Sequence, residues 1–111
     1  MSMATRRDLL PGTLDMLVLK TLSVQSMHGY AIARQIERVS DDVLRIEEGS
    51  LYPALQRMRQ KGWIKAEWRQ TPNNQRARYY TITATGRKQL GVSESGFDEL
   101  VNAIARVMGT A

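Results

Sequence analysis

The spacing of apolar residues changes period twice along this chain, and these two changes restrict its fold more than any other feature. From Thr13 to Lys61 the apolar residues recur every three or four positions, which is typical of helices with one buried face. After Gly62 they alternate with polar residues, as in half-buried strands, until Ile82. The helical spacing returns from Thr83. The sequence therefore predicts three helices, a pair of strands and one further helix.

Each of the three predicted N-terminal helices has one apolar face. The first follows an expected N-cap at Thr13, the second follows a turn at residues 25–27 and ends at Ser40, and the third covers residues 47–61. We expect the three faces to form one core. They consist of Leu14, Leu17, Val18 and Leu22 in the first helix, Ile32, Ile36 and Val39 in the second, and Leu51, Leu55 and Met58 in the third.

The opposite face of the third predicted helix is polar without being acidic. Pro53 lies on this face and lacks an N–H group, so we expect it in the first turn, where a missing donor costs nothing. Arg57 and Arg59 flank the face at 100° per residue. Its members are Gly49, Tyr52, Pro53, Gln56 and Gln60.

Two β-compatible segments, residues 63–69 and 77–82, are separated by turn-forming residues and predict a hairpin. Trp63 and Trp68 are an odd number of positions apart in the first segment. Because successive strand residues point to opposite faces, we expect one tryptophan to face the core and the other to be partly exposed.

The last predicted helix runs from an N-cap at Thr83 to about Met108, and its apolar spacing is close to a seven-residue repeat. This spacing is typical of a helix that packs lengthwise against another helix. We expect a second copy of the chain as its partner, and packing onto the chain's own first helix is the alternative. The residues expected at this dimer interface are Leu90, Phe97, Val101, Ile104 and Met108.

Basic charge is concentrated in one part of the chain. Residues 51–90 contain 9 Lys and Arg against one acidic residue, Glu67, whereas the whole chain has 16 against 11. We therefore expect a basic surface, which suits nucleic acid, although a solvated surface that favours solubility would have the same charge. Lys65, Arg76 and Arg78 lie in the predicted hairpin. We expect them to contact phosphate rather than bases, and the alternative is that they only face solvent.

Composition excludes several classes of site. The 111 residues suit one domain, and the 42% apolar and 24% charged fractions are typical of globular proteins. Without cysteine there is no disulfide and no thiolate ligand. The only histidine, His28, has no nucleophile or carboxylate at an informative spacing, so we expect no catalytic site, no metal and no other cofactor. No apolar run is long enough for a membrane span and no signal peptide is recognised, which favours the cytoplasm.

Three helices followed by a hairpin is the order of a winged helix-turn-helix, in which the second of a helix pair enters the major groove of DNA. The predicted fold class is α+β and mostly α, with an additional C-terminal helix. In this order the chain resembles the PadR family of transcriptional regulators. The segments that carry the resemblance are LPGTLDMLVLKTL at 10–22, MHGYAIARQIE at 27–37, EGSLYPALQRM at 48–58, GWIKAEW at 62–68 and RYYTITATGRKQL at 78–90.

The resemblance implies a dimeric DNA-binding repressor that often responds to small molecules. It implies a recognition helix from Ser50 to Arg59, a wing at residues 73–78 and a dimerisation helix at residues 87–108. Some relatives bind flat drugs between tryptophans of the last helix. Here that helix has only Phe97 as an aromatic residue, which does not fit multidrug binding. A small aromatic compound is the candidate effector class, and the residues themselves do not identify an effector. We divide the chain into a flexible arm at 1–8, a DNA-binding domain at 9–83 and a dimerisation helix at 84–111.

The resulting hypothesis is a homodimeric repressor of a pseudo-palindromic operator on double-stranded DNA. Gln56 can pair with adenine, and Arg57 can reach guanine or phosphate. Two alternatives use the same surface. One is a winged-helix module that binds an acidic protein, and the other is a nucleic-acid-binding protein without sequence preference.

Overall fold

The computed structural model describes residues 12–109, which form four helices and a three-stranded antiparallel sheet. This architecture confirms the predicted winged helix with an additional C-terminal helix. The expected arm at residues 1–8 lies outside the described residues. In chain order the elements are α1 (Thr13–Leu22), β1 (Met27–His28), α2 (Gly29–Val39), α3 (Glu48–Gln60), β2 (Ile64–Gln70), β3 (Arg76–Ile82) and α4 (Ala84–Met108).

The core lies between the three N-terminal helices and one face of the sheet. The inward faces predicted for α1 and α3 are confirmed, since Val18, Leu51 and Met58 are almost fully buried. In α2 the prediction is wrong at Val39, which is 68% exposed because it lies in the last turn, beyond the reach of the core. Buried residues of the core include Leu19, Leu22, Ile32, Ile36, Ala54, Leu55, Ile64, Tyr80, Ile82 and Leu90.

The sheet contains one strand that the sequence did not predict. Residues 25–27 were expected to form a turn, but Met27 and His28 pair with Tyr80 and Tyr79 on the free edge of β3. The strand order is β1-β3-β2. A two-residue strand is too short to show alternation, so only its pairing partner defines it. The predicted β2–β3 hairpin is present, with Trp68 opposite Arg78 near its tip.

Pro53 does not lie in the first turn of α3, contrary to the sequence prediction. The helix begins at Glu48, where the N–H groups of Ser50 and Leu51 both bond to the carbonyl oxygen of Glu47 at 3.0 Å. Pro53 is therefore in the second turn and cannot donate to the carbonyl of Gly49. Burial of the apolar face of α3 on both sides of Pro53 stabilises the helix despite this missing bond.

The loop between α2 and α3 is fixed by a buried acid. Glu37 is only 7% exposed, and its Oε2 accepts a hydrogen bond from the backbone N–H of Ile46 at 2.9 Å. Arg34 and Arg45 lie within ion-pairing distance of the same carboxylate, at 3.5 and 3.7 Å. Glu37 therefore holds the chain in place directly before α3, the helix that carries the candidate site.

The last helix, α4, is uninterrupted through Gly91 and Gly96. The hydroxyl of Thr83 accepts from the N–H of Gly86 at 3.0 Å, which confirms the predicted N-cap. The first half of α4 packs along α1, where Lys20 and Glu94 form an ion pair at 3.2 Å. Among residues 12–109, no helix combines the length and the apolar character that a membrane crossing requires.

Candidate nucleic-acid interface

The outward face of α3 presents to solvent the residues of this helix that the sequence analysis expects at the DNA, and the other expected contacts lie in the hairpin. The helix buries its opposite face, Leu51, Ala54, Leu55 and Met58, and this burial turns the polar face to solvent. Contact with DNA itself stays a prediction for these residues. The exposed set consists of Ser50, Tyr52, Pro53, Gln56, Arg57 and Gln60.

Tyr52 lies at the junction of α3 with the start of α2. Its ring covers Gly29 so closely that a Cβ atom at that position would lie 2.7 Å from Tyr52 Cε1. The side chain remains 43% exposed. Partial burial, then the charge of Glu48 and then Tyr80 raise the pKa of the Tyr52 hydroxyl above its ordinary value. The hydroxyl is therefore protonated at neutral pH and can donate to an anion.

Gln56 is oriented by a neighbour one turn further along α3. The guanidinium Nη2 of Arg59 donates to Gln56 Oε1 at 3.0 Å. A guanidinium has donors only, so the atom facing it must be the amide oxygen. The amide NH2 group of Gln56 is left to donate to another acceptor. The sequence placed Arg59 on the flank of this face, but it gave no sign of this orienting bond.

Arg57 is held by a residue of α1. Its Nη2 donates to Asp15 Oδ1 at 2.7 Å, and the carboxylate is much less exposed than the guanidinium. This pair ties α3 to α1 and neutralises part of the charge of Arg57. Sequence reasoning treated Arg57 as a free cation because Asp15 is distant along the chain.

The wing, which we define as β2, β3 and the turn between them, has two different faces. The strand register places Trp68, Arg76 and Arg78 on the same face as the core residues of the sheet, but beyond the core. Lys65 is exposed on the other face. The three basic residues predicted to contact phosphate are therefore divided between opposite faces of the hairpin.

The face of the wing that carries Lys65 also contains an internal ion pair. Arg69 Nε donates to Glu67 Oε2 at 2.6 Å. This hydrogen bond and the charge of Arg69 hold the pKa of the Glu67 carboxyl below its ordinary value. Arg69 also lies over the ring of Tyr79, with its Cζ atom 5.2 Å from the ring centroid. Much of the positive charge on this face is therefore already paired within the chain.

His28 lies at the start of α2 and has a structural position. Its Nδ1 accepts a hydrogen bond from the N–H of Ala31 at 3.2 Å and so caps α2. Its ring lies nearly perpendicular to the ring of Tyr79, with the two ring centroids 5.4 Å apart. In the part of the chain that the structure describes, no group of three His, Asp or Glu side chains is placed to hold a metal ion.

Comparison with known proteins gives a consistent result. The model of the PadR-like family of transcriptional regulators matches residues 18–92. A transcriptional regulator from Clostridium thermocellum is 27% identical, with a TM-score of 0.81 over 89% of this chain and 96% of that one. A PadR family transcription regulator from Clostridium difficile is 27% identical, with a TM-score of 0.76 over 87% and 99%. A PadR family transcriptional regulator from Eggerthella lenta is 29% identical, with a TM-score of 0.74 over 90% and 85%.

Proposed function

The chain belongs to the PadR-like family of transcriptional regulators, and from that premise we propose that it is a repressor that binds a pseudo-palindromic operator as a homodimer. The observation that carries this proposal is the exposed polar outward face of α3, which has no acidic residue after Glu48 in the first turn, beside a basic wing. An α-helix fits the major groove of B-DNA, and a wing can reach the adjacent backbone. The protein would act in the cytoplasm, where bacterial DNA is accessible.

We assign base reading to Gln56 and Arg59 together. With its oxygen bound by Arg59, Gln56 presents an NH2 donor, and Arg59 has further N–H donors. Guanine offers two acceptors, N7 and O6, on its major-groove edge, whereas adenine offers one acceptor and one donor. The oriented pair therefore favours guanine. The sequence-based expectation of adenine applies to a glutamine whose oxygen is free.

Tyr52 and the wing arginines are assigned to the DNA backbone. The Tyr52 hydroxyl is protonated and lies at the start of α3, where phosphate contacts fix the register of a recognition helix. Phosphate contacts carry no base information, so these residues contribute affinity for any duplex.

The homodimer rests on the second half of α4. Phe97, Val101, Ile104 and Met108 form an exposed apolar stripe at near-heptad spacing. Such a stripe is unfavourable in water and suits the same stripe of a second copy. Two copies would then place their α3 helices in successive major grooves, about 34 Å apart.

Release by a small aromatic effector is supported by a cleft between α1, α2 and the loop that follows α2. The cleft has a volume of 510 Å³ and its walls are mainly apolar. Apolar clefts of this size are typical of small-molecule sites. Its lining includes Leu17, Val24, Met27, Ile36, Val39 and Leu44.

The effector proposal can be tested with a cleft-filling variant. A panel of aromatic carboxylic acids is titrated into the protein–operator complex, and the released DNA is measured by fluorescence anisotropy. We expect release in the unmodified protein and none in Val39→Trp, whose ring would fill the cleft. Val92→Trp is the matched control because Val92 is equally exposed but lies on α4, outside the cleft. Release that is equal in both variants would rule out this cleft.

The main test of function is binding to the DNA upstream of the chain's own gene, in excess random competitor. We expect a retained complex, and a preference for guanine at one position of each half-site. Arg59→Met removes the orienting donor, and we expect the preferred base at that position to change from guanine toward adenine. Gln56→Ala should abolish the preference there and cost about 1–3 kcal/mol of discrimination.

Three outcomes would contradict parts of this proposal. Equal affinity for all duplexes favours the alternative of binding without sequence preference. No DNA affinity at all favours the protein-interaction module. An unchanged base preference in Arg59→Met would remove the orienting role of Arg59 while leaving sequence-specific regulation in place.

A further inference from the structure

Trp68 is an exposed tryptophan that lies between two arginines on the wing. The Trp68 side chain is 58% exposed, although tryptophan has one of the largest apolar surfaces of any side chain. The Cζ atom of Arg76 lies 5.3 Å from the ring centroid, and that of Arg78 lies 5.9 Å from it. Both distances are within the range of cation–π contacts. One aromatic ring is therefore in contact with two guanidinium groups.

The charges of this pair are not balanced within the described chain. Arg78 lies directly opposite Trp68, and Arg76 lies opposite Gln70, on the same face. Glu67, the acid of the wing, lies on the other face and pairs with Arg69. Among residues 12–109 no ion pair involves Arg76 or Arg78, and the buried Nε of Arg78 has no hydrogen-bond partner. Two adjacent unpaired guanidiniums repel each other and favour an anionic partner.

The core does not require this arrangement. The buried part of the sheet ends at Tyr80, and Trp68 lies beyond it toward the hairpin tip. A polar strand residue at position 68 would leave the core contacts of Ile64 and Ile82 unchanged. Trp68 makes cation–π contacts with the two arginines, which are long side chains with many rotamers.

We propose that Trp68 is a positioning residue that holds Arg76 and Arg78 ready to bind consecutive backbone phosphates of DNA. This inference rests on the proposed DNA-binding function. Stacking on an aromatic face fixes the plane of a guanidinium and leaves its N–H edge free for bidentate contact with phosphate. Fixing both side chains in advance reduces the entropy that is lost on binding. Lys65 is on the other face of the wing and does not take part.

The test is a double-mutant cycle on the full chain. We measure affinity for a fluorescent duplex for the unmodified protein, Trp68→Leu, the pair Arg76→Gln with Arg78→Gln, and the triple variant. We expect Trp68→Leu to weaken binding about five- to tenfold, as two cation–π contacts of moderate strength would give. In the background without the arginines, the same change should weaken binding less than twofold.

Two further variants separate positioning from a merely structural role. Trp68→Phe keeps an aromatic face and should restore most of the affinity that Trp68→Leu loses. Lys65→Gln is the matched charge control on the opposite face, and its effect should not depend on Trp68. Thermal unfolding of each variant, followed by circular dichroism, identifies any loss that comes from unfolding.

Equal weakening by Trp68→Leu with and without the arginines would overturn the proposal, because the indole would then contact DNA directly. No weakening at all would overturn it as well. The cycle is measured on both operator and random duplex, since phosphate contacts are independent of sequence. If no operator preference exists, the proposed function fails, yet the cycle on random duplex still decides the role of Trp68.

Discussion

Gly86 is the residue at which a single added methyl group would do most damage to the fold. A Cβ atom there would lie 2.0 Å from the carbonyl oxygen of Trp63, which is backbone and cannot turn away. The same carbonyl accepts from the N–H of Thr83 at 3.0 Å, so this contact joins the start of α4 to the start of β2. The glycine in the Thr-x-x-Gly segment is therefore required by this close approach.

We expect Gly86→Ala to lower the free energy of unfolding by about 3 kcal/mol, because relieving the overlap must separate α4 from β2. Urea unfolding followed by circular dichroism measures this loss. Gly91→Ala is the matched control, since a Cβ atom at Gly91 meets nothing within 4 Å. That variant should gain up to about 1 kcal/mol from helix propensity. Similar stability of the two variants would contradict the close-approach argument.

Glu37 fixes the loop before α3 through its hydrogen bond from the N–H of Ile46. We expect Glu37→Ala to lower the free energy of unfolding by about 2 kcal/mol, because a buried backbone N–H loses its hydrogen-bond acceptor. Glu37→Gln keeps a carbonyl oxygen and should cost less than half as much. Chemical denaturation of the unmodified protein and the two variants gives the order of their stabilities. If Glu37→Gln lowered the free energy of unfolding as much as Glu37→Ala does, the ion pairs with Arg34 and Arg45 would contribute more to stability than the hydrogen bond.

The two halves of α4 differ in what their apolar residues contact, and the two alternatives raised for this helix apply to different halves. Leu90 was expected at the dimer interface, but it is 7% exposed and packs in the chain's own core. The first half of α4 lies along α1. The second half, from Phe97 onward, leaves its apolar stripe exposed. Packing on the first helix therefore accounts for the first half, and the dimer proposal rests on the second half alone.

We expect Ile104→Glu to weaken the proposed dimer about a hundredfold, because two carboxylates would enter one apolar interface. Analytical ultracentrifugation measures the monomer–dimer equilibrium. Asn102→Glu adds the same charge on a different side of α4 and should leave the dimer intact. Dissociation by both variants would point to net charge as the cause. Dissociation by neither would show that the stripe is not the interface.

The basic excess of residues 51–90 lies in three neighbouring elements of the whole molecule: α3, the wing and the start of α4. A protein that binds DNA through such a surface releases counterions, so its affinity falls steeply as salt rises. The extent of 52 Å along the longest axis also separates the exposed end of α4 from the compact core. DNA binding and self-association would therefore use different parts of the chain.

We expect Arg76→Gln to lower the slope of log affinity against log salt by about 1, because one phosphate contact is lost. Arg106→Gln removes the same charge from the last turn of α4 and should leave the slope unchanged. Binding to an operator duplex at several salt concentrations gives both slopes. Equal slopes for the two variants would mean that net charge, and not contact by the wing, controls the affinity.

Some features of the candidate site could be predicted from local pattern, and others could not. The polar face of α3 follows from the helical period of its apolar residues, which depends only on near neighbours. The prediction that Pro53 lies in the first turn of α3 was wrong. The start of this helix depends on hydrogen bonds to the carbonyl of Glu47 that composition does not show. The bond from Arg59 to Gln56 is local in sequence, but it depends on the rotamers that the two side chains adopt.

Local pattern was enough to predict the order of the four helices and the β2–β3 hairpin, and the inward faces of α1 and α3, because backbone sterics and burial fix the period of each segment locally. Only the tertiary structure decided which distant groups meet. In the folded chain β1 pairs with β3, Arg57 forms an ion pair with Asp15, and Leu90 is buried within the chain. The basic residues of the wing lie on two opposite faces. These contacts join residues far apart along the chain, and a local pattern carries no information about which of them become neighbours.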